Sequence, residues 1–112
     1  MIIRIVKMTF HSNKINDFLK IYKEVNPKIK NFKGCNHLEL LNDITHSNIF
    51  FTYSHWDTEQ DLLNYKNSAL FTSTWSGIKA FFEQRAEAWS VTIYEKQNDT
   101  KSATYLENAY KI

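Results

Sequence analysis

The sequence predicts an α+β domain in which four antiparallel strands carry helices on one face only. Three observations lead there. The periodicities along the 112 residues run β-α-β-β-α-β, the second and third strands are joined by too few residues for a crossover helix, and the strands bear large apolar side chains on both faces. A chain of this length supports one hydrophobic core, and 43% apolar with 23% charged residues is a globular balance.

Residues 2 to 10, "IIRIVKMTF", alternate weakly and are rich in Ile and Val, as in a strand buried on both sides. The period then changes. Ile15, Phe18, Leu19, Tyr22, Ile29 and Phe32 fall on one helical stripe behind Ser12 or Asn13 as N-cap. Pro27 lies inside that stripe, where its ring meets the carbonyl of Lys23, so a kink or early end is expected. Gly34 stands where a helix C-cap prefers glycine.

"CNHLELLN" and "NIFFTYSHW" follow as a hairpin joined by the polar "DITHS". In the third strand Phe50, Thr52, Ser54 and Trp56 share one face, and Ile49, Phe51, Tyr53 and His55 share the other. Asp57 and Gln60 stand at capping-box spacing ahead of Leu62 and Leu63, and Ser68 caps a second stretch through Leu70, Phe71, Thr74, Trp75, Ile78, Phe81 and Phe82. These read as one broken helical segment. "EAWSVTIYEKQ" is the fourth strand, with Trp89, Val91 and Ile93 on one face and Ser90, Thr92 and Tyr94 on the other. The domain spans residues 1–96. The tail, 97–112, is polar except for Tyr105, Leu106, Ala109 and Tyr110, the spacing of a short helical stripe that docks on the domain or its partner or else frays.

This order of elements is the ferredoxin-like, split βαβ arrangement. Two helical segments cover one side of four strands and leave the other side open. Phe50 or Phe51, Ile2 or Ile3, Leu38 or Cys35, and Trp89 or Tyr94 would be stranded there, more apolar surface than a monomer usually exposes. A homodimer through the sheet faces is the expected lid, since burying such rings is worth roughly 1.5–3 kcal/mol each.

The composition excludes several classes. A net charge of +2 with lysines scattered among acids offers no stripe for a nucleic-acid backbone, and "NPKIKNFKG" is a solvated helix end. The apolar run at the start is broken by Arg4 and Lys7, and no stretch reaches the length of a membrane helix, so a cytoplasmic protein without membrane contact is expected. The single cysteine, Cys35, reads as a small buried strand residue. His11, His46 and His55 are dispersed, so no metal site is expected.

The GC dipeptide opening the second strand (Gly34, Cys35), the third strand running into "YSHWDTEQDL", then "YKNSALFTSTW" and the closing "EAWSV" resemble the antibiotic biosynthesis monooxygenase family over residues 2 to 96. That resemblance implies a dimeric α+β barrel. It also implies an oxidation of small or polycyclic phenols or quinols by molecular oxygen, with neither metal nor flavin as cofactor. A neighbouring branch of the family degrades haem with an Asn on the first strand and a Trp and a His on the second helical segment; Val6, Tyr65 and Trp75 stand at those positions here, so haem degradation is not expected.

A cofactor-independent oxygenase needs a base, donors aimed at a developing oxyanion, and dry aromatic walls. His37 and Glu39 share one strand face, with Tyr53 or Ser54 opposite His37, and would act as base and orienting carboxylate if that face looks toward the helices. The competing reading places them against the partner subunit in structural hydrogen bonds. Arg4 is a conspicuous charge in an apolar strand, suited to holding a phenolate or carboxylate, or else to an ion pair with Glu39 or Glu95. Tyr22, Tyr65, Phe71 and Trp75 point from helices toward the sheet and, with Tyr53, are the candidate substrate-binding residues, ordinary core packing being the alternative. Trp56 reads as a structural plug. The functional expectation is a monooxygenase acting on a small aromatic substrate; the alternative is a homodimeric module that binds a small ligand without turnover.

Overall fold

Ile- and Val-rich residues form β1 (Ile2–Phe10), and the computed structural model, which describes residues 1–95, places this strand inside the sheet. After a 3-10 turn at Ser12–Lys14, α1 (Ile15–Lys30) crosses the sheet. The expected cap at Ser12 or Asn13 is not used: both residues are wound into the 3-10 turn, and Lys14 occupies the N-cap position without a side-chain bond. Pro27 does not stop the helix, which continues to Lys30. The proline removes a single bond in the last turn, at exposed Lys23, where water can serve the carbonyl.

Gly34 lies beyond the helix end, in the turn before β2, with φ +88°. A side chain there would be strained by the backbone and would collide with Asp61, so the residue lets two distant segments touch. β2 (Cys35–Asn42) and β3 (Ile49–Trp56) form the expected antiparallel hairpin. Next comes α2 (Glu59–Lys66), whose cap is Thr58, one residue later than expected: its hydroxyl accepts from the Asp61 amide, while Asp57 accepts from Asn36. Ser68 caps α3 (Ala69–Ile78) through the Phe71 amide as anticipated. Phe81 and Phe82 do not extend that helix. A 3-10 turn at Lys79–Phe81 leads into β4 (Phe82–Val91), which begins five residues earlier than expected and ends before Thr92.

The sheet order is β2-β3-β1-β4, all pairs antiparallel. The edge strand β4 is largely exposed, and its charged residues Glu83, Arg85 and Glu87 blunt an otherwise open row of backbone groups. The core sits between the sheet and the helices: Met8, Phe10, Phe18, Phe50 and Ile78 are buried together, with the Phe10 and Phe18 rings stacked at 4.2 Å. No helix among the described residues is long and apolar enough to cross a membrane. The expected stripe at Tyr105, Leu106, Ala109 and Tyr110, with the rest of the tail, lies outside the described residues.

Pairing fixes which side chains share a face. Arg4, Val6, Met8, Phe50, Thr52, Ser54 and Trp56 face the helices. Ile3, Ile5, Phe51, Tyr53, Trp89 and Val91 face the other way, where no helix of the described residues lies; Ile5 is paired with both Tyr53 and Trp89. Neither Leu38 nor Cys35 joins that outer face. Leu38 pairs with Ser54 and Cys35 with Trp56 on the helix side, while His37, Glu39 and Leu41 point outward.

Candidate functional site

Between the helix-facing side of the sheet and the three helices lies a cavity of about 220 Å3. β1 and β3 supply its floor, with Arg4, Val6 and Met8 beside Thr52, Ser54 and Trp56; α1, α2 and α3 supply walls that include Tyr22, Tyr65, Phe71 and Trp75. The walls exist because aromatic residues at helical spacing turn inward, and they pack on one another. Tyr65 stacks on Trp56 at 4.9 Å and meets Phe71 edge-on at 5.3 Å, while Phe71 lies parallel to Trp75 at 5.9 Å. Trp56 is 1% exposed and its indole N–H donates to Ser54 Oγ at 3.0 Å, which makes it the plug at one end of the floor.

Arg4 lies between Ser54 and Ser90 in the strand pairing. Its Nη1 donates to Ser90 Oγ at 3.0 Å, and burial pulls the guanidinium pKa below its ordinary value. The ion pairs among the described residues are Lys14–Asp17 and His37–Glu39, so neither Glu39 nor Glu95 neutralises Arg4. On the α3 wall of the cavity the Thr74 hydroxyl is buried with no hydrogen-bond partner among the described residues.

Burial raises the Tyr65 pKa from 10.0 to about 12, with smaller contributions from Cys35 and Tyr22. Burial, then the charge of Glu39, raises Tyr22 as well. Both phenols therefore stay protonated near neutrality and act as donors, not bases. A stability test follows. The folded chain holds the Tyr65 proton above the pH where the unfolded chain releases it, so stability present below pH 10 is lost as pH rises toward 12. Urea unfolding at pH 9 to 12 is expected to show a loss on the order of 2 kcal/mol, and Tyr65→Phe is expected to remove most of that slope.

Of the residues expected at a site, the structure brings together Arg4, Tyr22, Tyr65, Phe71 and Trp75. It separates them from His37, Glu39 and Tyr53, whose strand positions point to the opposite face of the sheet. A shift of pairing between Cys35 and His37 sets this: His37 lies opposite His55, and Tyr53 opposite Glu39. On that outer face His37 Nε2 contacts Glu39 Oε1, the His37, Tyr53 and His55 rings cluster with His37–His55 and Tyr53–His55 centroids both 4.9 Å apart, and His55 Nε2 is buried without a partner. Thr74, Ser90 and Lys66 were not singled out from sequence. Thr74 lies on the α3 stripe but resembles a packing residue, and the role of Ser90 appears only once β1 and β4 are paired.

A family model described as antibiotic biosynthesis monooxygenase matches residues 1–75. The chain belongs to the antibiotic biosynthesis monooxygenase family. Solved structures agree on the fold. The crystal structure of an antibiotic biosynthesis monooxygenase aligns with a TM-score of 0.80 at 19% identity, covering 85% of this chain and 100% of that one. A Nitrosomonas europaea protein provisionally given the same description aligns at 0.78 with 14% identity, over 85% of this chain and 100% of its own. A conserved protein from Methanosarcina mazei Go1 reaches 0.77 at 17% identity, over 81% and 91%. A comparison with curated proteins finds no match. At such identities the structural likeness speaks for the architecture alone.

Proposed function

We propose that this family member is a cofactor-independent monooxygenase that oxidises an aromatic phenol or quinol with molecular oxygen. The observation that carries the reading is the aromatic cavity with Arg4 at its polar end and no carboxylate pairing it among the described residues. A phenol bound there ionises more readily, because the guanidinium stabilises its anion and the site excludes much of the water. Tyr65 and Tyr22, kept protonated by burial, supply further donors to the oxyanion.

The phenol proton leaves to water at the cavity mouth. An electron-rich ring carbon that bears hydrogen, para to the oxyanion in a phenol and ortho to it in a quinol, then forms a bond to dioxygen, and the O–O bond breaks. One oxygen atom stays as the new quinone carbonyl. The other departs as water with two hydrogens that came from the substrate, so substrate plus O2 gives quinone plus H2O and no outside reductant is consumed. His37 and Glu39 take no step in this scheme, and haem has no place in it, since no histidine lines the cavity.

The active species in this reading is a cytoplasmic homodimer whose sheets pack face to face. Its support is the apolar outer face of Ile3, Ile5, Phe51, Tyr53, Trp89 and Val91, of which Trp89 and Val91 are each 43% exposed in one protomer. The test is oxygen uptake with a panel of quinols and anthrones. Uptake is expected to survive chelation of metals and to fall by about 100-fold in Arg4→Ala. No uptake by any of these, with saturable quenching of Trp56 and Trp75 fluorescence, would replace the enzyme by a ligand-binding module. The absence of a histidine base in the cavity is the observation that favours that second reading.

A further inference from the structure

The cavity has a direction. Along the helix-facing side of β1 the side chains run from Arg4 through Val6 and Met8 to Phe10, and exposure falls to 2% at Met8 and 0% at Phe10. The opening lies on the β4 side of the Arg4 row, where Ser90 and Ala88 are exposed; on the β3 side Ser54 and the Trp56 plug are buried, and the Met8–Phe10 end is closed. The charged residues bordering the space are Arg4, Lys66 and Glu87, but Glu87 pairs with Lys7 in the row of the sheet that faces away from the helices. Glu87 lies three residues along β4 from Ser90, the partner of Arg4, which is roughly 10 Å of strand, and it makes no ion pair with either cation. A half-buried guanidinium without a carboxylate is costly unless something supplies the anion.

Size adds a second restriction. An apolar hole of about 150 Å3 takes benzene, and sites for drug-sized ligands begin near 300 Å3. At about 220 Å3 this cavity falls between the two. The ring walls of Phe71, Trp75 and Tyr65 present flat faces and edges to whatever enters.

From this geometry we infer that the ligand is a hydroxyarene carboxylate of one or two rings, its acid group clamped by Arg4 with Ser90 behind it and its rings held between the helices and the sheet. The inference rests on reading this cavity as the substrate site of the proposed oxygenase, and it narrows the substrate from phenols at large to small aromatic acids. Ser90 is a positioning residue, since it acts through Arg4: its hydroxyl accepts one guanidinium N–H and leaves the rest of the fork to face the ligand. Burial of Arg4 strengthens the clamp, because a partly desolvated cation loses less on exchanging water for a carboxylate.

The experiment is an anaerobic titration read by tryptophan fluorescence, so that binding is measured without turnover. The probes are 1-hydroxy-2-naphthoate, 1-naphthol and 9-anthracenecarboxylate. The two-ring acid is expected to bind the wild-type protein at least about tenfold more tightly than 1-naphthol, the effect of one charge-assisted contact. Arg4→Gln is expected to weaken the two-ring acid at least about tenfold more than it weakens 1-naphthol and so to abolish that preference, and Arg4→Lys to keep part of it. Ser90→Ala is expected to reduce the preference without removing it. The three-ring acid, although more apolar, is expected to bind at least about tenfold more weakly than the two-ring acid. Equal binding of acid and naphthol, a preference that survives Arg4→Gln in a protein whose Tm is unchanged, or tighter binding of the three-ring acid would overturn the inference, as would failure of all three probes to bind. Binding in the expected order with no oxygen uptake in the aerobic assay would leave the ligand assignment standing and remove the oxygenase.

Discussion

Phe51→Glu is expected to convert a dimer of twice the 13.3 kDa protomer into a folded monomer. Phe51 stands on the outer face opposite Lys7 in β1 and Leu41 in β2. In a single protomer the new carboxylate would be solvated and would gain a cross-strand partner in Lys7, so the fold should tolerate it. Between two sheets the same carboxylate would be desolvated, and two-fold symmetry would introduce it twice. Losing two rings at roughly 1.5–3 kcal/mol each, and burying charge besides, should weaken association by at least about 1000-fold. Sedimentation at micromolar concentration reads the result. If the wild-type protein already sediments as a single 13.3 kDa particle there, the face-to-face dimer is wrong.

Phe10→Ala tests the other side of the sheet. Phe10 is fully buried, stacks on Phe18 at 4.2 Å, and meets Phe82 at 5.3 Å and Phe50 at 6.0 Å. Removing the ring deletes the centre of four mutually supporting aromatics, and the neighbours are anchored on separate elements and cannot all close the gap. The expected loss is about 3–5 kcal/mol, a large part of the 5–15 kcal/mol by which domains of this kind are usually stable. Urea unfolding measures it, and a loss below about 1 kcal/mol would mean that the cluster does not organise the core. Phe10 lies six residues from Arg4, roughly 20 Å along the strand, so the preference for an acid over 1-naphthol should survive in the folded fraction. The closed end, where Phe18 lines the cavity and stacks on Phe10, becomes roomier.

What the sequence made legible follows physical periodicity. The grouping of the β3 side chains into two sets was readable from the period of two, but which set faces the helices was not, because both carry large rings; the structure turns Phe50 and Trp56 in and Phe51 and Tyr53 out. In β2 the pairing shift between Cys35 and His37 also changes which residues stand opposite one another, and no sequence signal announces it. The start of β4 was hidden by Phe81 and Phe82, which continue the helical spacing of Ile78 although the chain has already turned. Its charged residues gave no alternation because an edge strand needs little. At the cavity, Tyr22, Tyr65, Phe71 and Trp75 were visible as large rings at helical spacing, and Arg4 as a charge among aliphatics. Thr74 and Ser90 were not, since a small hydroxyl carries no periodic signal and its partner is known only from the pairing.

Gly34 holds a further consequence for anyone who would redesign the pocket wall. With only a hydrogen where others carry a side chain, it lets the Asp61 turn of α2 settle against the loop ahead of β2, and Tyr65 stands one helical turn further on. Truncating Asp61 to alanine would leave its Cβ, the atom nearest to a side chain at 34, in the way and would leave the left-handed backbone besides, whereas a residue tolerant of that backbone would still lack the room. Position 34 is thus locked by two independent tumblers, and libraries that diversify α2 should leave it untouched.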